Sequence, residues 1–475
     1  FLIISNFAFA QVSTVPTIPT TTGEITIKFD ATGTGLDGYT GDVYAHTGVT
    51  VNGERWQNVI ADWSVNVEKV KLTRTSNNQY ELVITPDVYT FYSVATSKKI
   101  SEFCFVFRSS DGSQQTADLF VKLYEDGLNI TFTEPLNGSA YNKNTSVNIS
   151  AEASINADLE LFVNGVSEKT ATNTKNISKS ITLSSTGTYT IKATATSGSE
   201  TSETEISIYV KSPTQNQTMP TGVTNGFNSN GDGTVTFVLL APNKNDILLL
   251  GDFNNWTVNE NYQLYKDGNY FWITLNNLDA DTEYAYQYLV DYTVKVADPY
   301  SEKILDPWTD QYIKAGNYPG LKEYPTNLTE GYVSTFKINE EIYNWQVTDF
   351  TRPDQDNLVI YELHVRDFTT SDSFNEVLTK LDYLEELGVN AIELMPVNEF
   401  EGADSWGYNP ALYFALDKAY GTKNAFKKLV DECHKRGIAV LSDVVFNHSY
   451  GQSPLVQMYW NSAENKPAAD NPWYN

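Results

Sequence analysis

The sequence predicts a multidomain chain: three all-β sandwich modules, then a parallel α/β domain. Three observations carry this. Short apolar and aromatic runs broken by Gly, Asn and Asp recur from Ile25 to about Ile313. Within that stretch the composition shifts, once into a Ser/Thr/Asn-rich segment without tryptophan. From Leu358 the hydrophobic period changes to apolar strands alternating with amphipathic helical stretches.

At the start, Phe1-Leu2-Ile3-Ile4 runs apolar into Phe7-Ala8-Phe9-Ala10. The A-x-A pattern of Ala8 and Ala10, followed by polar sequence from Gln11, looks like the tail of a secretory signal peptide (residues 1–10). A secreted or cell-surface protein is therefore expected. Residues 11–22, rich in Thr and Pro, read as a flexible leader. The first module is expected over 23–127, where Phe103, Phe105 and Phe107 alternate ahead of an Asp-Gly turn. The second, over 129–212, repeats strand-like runs at intervals that fit an immunoglobulin-like sandwich, and its lack of tryptophan marks it as a spacer. Residues 212–222 read as a linker. The third module, over 220–317, contains DILLLGDFNNW and YFWITL.

The last region, 350–475, reads strand, helix, strand, helix, strand. LVIYELHV is the first strand, and Ser373 with Glu376 forms a capping box for a helix that stops at Gly388. NAIELMPV is the second strand. A second helix places Phe426, Leu429, Val430 and Cys433 on one face, ends in basic residues and stops at Gly437. IAVLSDVV is the third strand. Apolar strands alternating with helices mean a parallel sheet, either a closed barrel or an open doubly wound sheet. No G-x-G-x-x-G follows the first strand, which argues against a dinucleotide site.

Composition narrows the partners. The 475 residues carry 32 basic and 59 acidic side chains, a net charge of −27. That charge argues against nucleic acid, whose phosphates need a cationic face, and against an anionic membrane surface. No stretch approaches the ~18 apolar residues of a membrane span. Aromatic residues make up 13% of the chain, which suits stacking on neutral sugars. Cys104 and Cys433, far apart in sequence, make neither a disulfide framework nor a zinc motif. No organic cofactor is indicated.

Asp443-Val444-Val445-Phe446-Asn447-His448 ends the third strand. Ligands of parallel α/β domains meet residues at the carboxyl ends of strands, and an amide and an imidazole suit sugar hydroxyls. DVVFNH resembles the first signature region of the α-amylase family, glycoside hydrolase family 13. YELHVRDF (361–368) resembles that family's first barrel strand, ELMPV (393–397) its second, and SWGYNPALYFALDKAYGT (405–422) the loop that follows. The resemblance implies an incomplete (β/α)8 TIM barrel, since a whole one takes about 250 residues. It implies that Tyr408, after Trp406-Gly407, stacks on the sugar to be cleaved, and that His448 hydrogen-bonds the same sugar. Asn447 would be a ligand of a structural calcium ion, and Asp443 a structural residue bracing the strand end, with Trp406 beside the site.

The chemistry of a retaining glycosidase uses two carboxyl groups about 5–5.5 Å apart. The family places its nucleophilic Asp after strand four, its acid Glu after strand five and a further Asp after strand seven. This chain reaches Asn475 in the loop after strand three, so no catalytic residue is expected within it. Glu393 and Asp443, read as lying inside strands, and Asp367, read as capping a loop, are expected to be structural.

The third module is similar to carbohydrate-binding module family 48, which precedes such barrels. There Trp256 reads as core, and Tyr270 and Trp272 as candidate glucan-stacking rings. The first module is similar to starch-binding modules near carbohydrate-binding module family 26, with Trp56 and Trp63 as its candidates. The function expected is an α-glucan-active hydrolase with retention of configuration, its 475-residue form inactive. The alternatives are a glucan branching enzyme and a non-catalytic starch-binding protein.

Overall fold

A computed structural model describes residues 11–461 and 466–474. The apolar run Phe1–Ala10 lies outside the described residues. The chain divides into two compact units. One runs to Lys211 and takes in Trp460–Ala468, and the other runs from Ser212 to Tyr459 and takes in the residues from Ala469 onward.

In the first unit, Val12–Val15, Ile25–Asp30, Gln79–Ile84 and Thr73–Ser76 make a four-stranded antiparallel sheet in that order. Glu54–Gln57, Val43–Val51, Ile100–Ser109 and Leu119–Lys122 make another. Ile27 and Phe29 from one sheet and Val49, Phe103, Phe105 and Phe107 from the other share one core. Phe29 stacks on Phe107 at 4.2 Å between ring centres. The leader expected to be flexible is instead partly a strand. Val12–Val15 pairs residue by residue with Thr26–Phe29, which satisfies its backbone groups on a sheet edge.

Further along this unit, the six strands Ile130–Glu134, Ala140–Asn142, Ser146–Val163, Val166–Thr182, Gly187–Ser197 and Glu200–Lys211 form a single connected sheet. The long strand Ser146–Val163 pairs with Val166–Thr182 on one side. On its other side Ser150–Ala153 pairs with Ile130–Glu134, and Asp158–Val163 with Gly187–Ser197. A register break between Glu152 and Ala157 separates the two partners. The hairpin turn is Asn164-Gly165, both residues at positive φ of 48° and 79°, as a two-residue turn between twisted strands requires. Ile149, Leu161, Ile191 and Ile208 form the core.

In the second unit, Gly226–Ser229, Val235–Leu240, Tyr270–Leu275 and Tyr265–Asp267 form one sheet, while Ile247–Gly251, Tyr284–Val290, Val294–Val296, Ile304–Leu305 and Val333–Phe336 form another. They share a core around Phe237, Leu249, Phe271 and Tyr286. Val333–Phe336 lies beyond the boundary at 317 and pairs with both Tyr284–Val290 and Ile304–Leu305. The expected linker 212–222 is stitched to this body. Gln217 N donates to Lys266 O, and Lys266 N to Gln215 O.

Ile360–Leu363, Ala391–Leu394 and Ala439–Ser442 form a three-stranded parallel sheet, which fits part of a TIM barrel. Leu363, Ile392 and Leu394 pack against Val377, Leu381, Leu429 and Cys433 from the connecting helices. On the other face Ile360 and Leu441 are exposed. The helix Lys423–Lys435 starts at Thr422, whose side chain accepts from Ala425 N, and turns out at Gly437 with φ of 70°. The helix expected from Phe374 to Gly388 is two, Phe374–Leu378 and Leu381–Glu386. Ser373 accepts from Glu376 N, but the Glu376 carboxylate receives Ser371 N instead of closing back on Ser373. No described helix is long and apolar enough to cross a membrane.

Candidate functional site

The loop between the second parallel strand and the helix Lys423–Lys435 folds back on itself. Glu399 N donates to Ala415 O at 2.9 Å, Ala411 N to Glu399 O at 3.0 Å, and Asp417 N to Val397 O at 2.9 Å. Inside its base Lys418 meets Glu399 at 2.5 Å and Asp310 at 3.1 Å, nearly all of it out of solvent. Burial pushes the Glu399 carboxyl up and opposes the charge on Lys418, yet the carboxylates hold the lysine above its ordinary value. Such a cluster persists only where every charge has a partner.

This pinned base presents Tyr408 at the loop tip. Gly407 precedes it at φ of 87°, with the position of a Cβ only 2.8 Å from Pro396 O. Arg366, just past the first strand, ties the loop down through Ser405 O at 2.9 Å. The Tyr408 hydroxyl donates to Asp443 Oδ2 at 2.6 Å, and this bond, then burial, pushes the phenol up to about 12. His448 Nε2 sits 2.8 Å from the Tyr408 carbonyl oxygen. A carbonyl only accepts, so Nε2 donates to it and Nδ1 is the ring nitrogen left for a ligand. The Tyr413 hydroxyl donates to His448 O at 2.9 Å. Loops after the second and third strands thus bring Tyr408, Asp443 and His448 together, leaving Tyr408 37% exposed for a ring-face contact.

Several expectations change. Asp443 does not lie inside a strand, since the third strand ends at Ser442 and Asp443 N donates to Leu394 O just beyond it. Glu393 does lie within its strand, beside Glu362 and Leu441 in register. Asp367 caps no loop. It sits in the short helix Val365–Phe368, against Arg366, which holds its carboxyl below the ordinary range, and 3.0 Å from His364 Nδ1. Trp406 is exposed beside Tyr408. Asn447 is exposed as well, and among the described residues no group of three or more His, Cys, Asp or Glu comes together to hold a metal.

Tyr413 and the Lys418 cluster were not singled out from sequence. A lysine next to an aspartate reads as solvated surface, and only the fold reveals its burial. A cavity of about 110 Å³ adjoins that cluster, lined by Asp310, Arg366, Glu399, Lys418 and Tyr420, and does not reach Tyr408 or His448.

The candidate stacking rings separate clearly. In the first unit Trp56 and Trp63 both lie against His46, with ring centres 5.5 and 5.0 Å from it. Trp63 is 39% exposed. Trp56 holds φ at 58°, uncommon for a bulky residue and costing on the order of 1 kcal/mol or more. Burial, together with Arg108, pushes His46 below its ordinary value. In the second unit Tyr270 is exposed, but Trp272 is only 5% exposed. Its indole donates to Gln217 O at 3.0 Å and its ring lies against Tyr265. The 212–222 segment covers the face on which it was expected to stack. Trp256 is core, as read, with its indole on Asp252.

Residues 348–475 match the family model for the α-amylase catalytic domain, and residues 225–309 that for carbohydrate-binding module 48, the isoamylase N-terminal domain. Malto-oligosyltrehalose trehalohydrolase of Saccharolobus solfataricus is 35% identical over 227 residues, which cover 48% of this chain and 35% of that protein. Pullulanase A of Streptococcus pneumoniae is 33% identical over 207 residues, covering 35% of this chain and 16% of its own length. A solved putative α-amylase from Salmonella typhimurium aligns at 26% identity with a TM-score of 0.39, over 49% of this chain and 35% of that one. The chain spans about a third or less of the length of these curated relatives.

Proposed function

We propose that this chain, which belongs to the α-amylase family and carries a carbohydrate-binding module 48 ahead of its catalytic domain, comes from a secreted, retaining hydrolase of α-glucans such as starch, glycogen or pullulan. The observation that carries the reading is the constellation of Tyr408, Asp443 and His448 at the carboxyl ends of parallel strands. It lies inside the segment matched as catalytic domain. Tyr408 offers a ring face to a sugar, and His448 Nδ1 hydrogen-bonds a sugar hydroxyl. Relatives that carry trehalohydrolase and pullulanase names favour hydrolysis over transfer. The run Phe1–Ala10 supports export.

The same reading makes the paired sheets around 23–127 and 220–317 sandwich modules, the 129–212 sheet a spacer, and the Trp56–His46–Trp63 cluster a glucan-binding surface. Each exposed ring contributes on the order of 1 kcal/mol, and linked weak sites gain through effective concentration on a polymer. On this reading the 475-residue chain binds glucan without cleaving it, and two of the carboxylates near the strand ends hold neighbouring side chains. Asp443 holds Tyr408, and Asp367 holds Arg366.

Electrophoresis of the chain through gels containing amylopectin tests both halves. Its migration is expected to be retarded, less so for Trp63→Ala, with no release of reducing ends. Unchanged migration overturns the binding claim. Measurable hydrolysis overturns the claim that this segment lacks the catalytic pair.

A further inference from the structure

One stretch of the 399–417 loop leaves a large ring in solvent beside buried neighbours. Ala411, Leu412 and Ala415 are buried, whereas Phe414 is 55% exposed. Burying a Phe side chain fully is worth roughly 1.5–3 kcal/mol, so a segment that leaves Phe414 half in solvent forgoes much of that. The ring is not alone. Tyr300, which follows the strand Val294–Val296, stacks on Phe414 with ring centres 5.3 Å apart and planes within 16°.

Both rings stand on rigid bases. Tyr300 N donates at 2.9 Å to Oδ1 of the fully buried Asp298. Its approach is close enough that a Cβ at Gly226 would come within 2.9 Å of Tyr300 Cβ. Phe414 is flanked by Tyr413, whose carbonyl accepts from Asn398 Nδ2 at 2.8 Å, and by Ala415, whose carbonyl accepts from Glu399 N. A platform already ordered loses little entropy on binding.

We propose that the Tyr300–Phe414 stack is a docking platform for a neutral α-glucan chain, additional to the Tyr408 ring and resting on the functional reading above. Two stacked rings match the flat C–H face of a pyranose but are far smaller than the ~800 Å² per side of a stable protein contact. The charges that follow Tyr300 are tied up in ion pairs, Glu302 together with Glu340 on Lys423 at 2.6 Å each and Lys303 on Glu283 at 2.8 Å, with one carboxylate in excess. Carboxylates in slight excess accept hydrogen bonds from hydroxyls and repel anions, which suits a neutral sugar and not a phosphate or an acidic chain. The platform also continues toward the candidate site. Tyr413, adjoining Phe414, holds the His448 carbonyl and sets its ring against the exposed Phe446 at 5.6 Å.

Calorimetric titration with maltoheptaose tests this in the full 475-residue chain carrying Trp56→Ala and Trp63→Ala, which removes the first unit's rings. In that background Phe414→Ala and Phe414→Leu are expected to weaken binding about five- to tenfold, while Phe414→Trp keeps or strengthens it. Equal affinity for all three variants overturns the platform. So does a loss that Phe414→Trp fails to restore, and so does a background chain that binds nothing although the parent binds; the glucan reading survives each. If the parent chain itself does not bind maltoheptaose or amylopectin, the glucan reading fails and the platform with it.

Discussion

The hydroxyl of Tyr408 and the carboxylate of Asp443, 35 positions apart in sequence, meet at 2.6 Å. The bond joins the tip of one loop to the first residue beyond the third parallel strand. It fixes the plane in which the Tyr408 ring stands, and a ring that stacks on a sugar must be held in one plane to act. It also makes the phenol a poor acid, since ionisation would set two negative charges side by side. Asp443→Ala is therefore expected to bring the Tyr408 pKa from about 12 back toward the ordinary ~10. Tyrosine Cζ resonances followed through an alkaline titration, with Tyr408→Phe for assignment, measure it. An unchanged titration point sinks the idea that Asp443 sets the ring.

Gly407→Ala is expected to disturb the same contact from the other side. The new methyl group meets Pro396 O and Pro396 Cβ within 3 Å, and the backbone sits at φ of 87°, so either effect alone costs on the order of 1 kcal/mol or more. Tyr408 must move, and its Cζ titration should fall toward that of Asp443→Ala. A Gly407→Ala chain with the native titration would show that the loop tip tolerates a side chain there.

The order of elements was legible because hydrophobic period and caps agree locally, as at Thr422 and Gly437. Tyr408 and His448 were legible only through motif resemblance, since neither periodicity nor composition says that residues 408, 443 and 448 converge. Trp272 shows where local reading fails. Its strand pattern correctly puts it beside Tyr270 on one face, but a distant segment, Gln215 to Gln217, pairs over that face. The break at Thr379 and Lys380 has a similar origin. The apolar pattern continues through it, while Leu381 and Leu384 are drawn to the sheet as a separate short helix. The third strand, read as running to Val445, ends three residues earlier at Ser442, which leaves Asp443 just beyond it.

Lys418 carries a prediction that sequence alone would not suggest. Removing one partner from a buried ion cluster strands the others, at a cost of roughly 3–5 kcal/mol. Lys418→Met leaves Glu399 and Asp310 facing each other without a cation, so it should lower the thermal midpoint markedly. Lys418→Met with Glu399→Gln removes the closest unpaired charge and should recover much of the loss. If the double variant is no more stable than the single one, the ion pair is not what holds the base of the loop.

Asp298 makes the stability of the second unit depend on pH in a direction opposite to that of most carboxylates. It is fully buried, and burial pushes its pKa from 3.8 up to about 6, although Tyr300 N and the hydroxyls of Tyr286 and Tyr288 donate to it. The folded state therefore binds a proton more tightly than the unfolded chain. Its stabilising contribution is complete below about pH 4 and is lost as pH rises through about 6. A change of that size corresponds to on the order of 3 kcal/mol. Asp298→Asn keeps a neutral group of the same shape, and the tyrosine hydroxyls accept from its amide as readily as they donate to its oxygen. Urea midpoints measured from pH 4 to 7 should show the parent losing ground to Asp298→Asn as pH rises, with the gap opening between about 4 and 6. Parallel curves across that range would mean that the hydrogen bonds to Asp298 outweigh its burial and that the carboxylate is charged throughout.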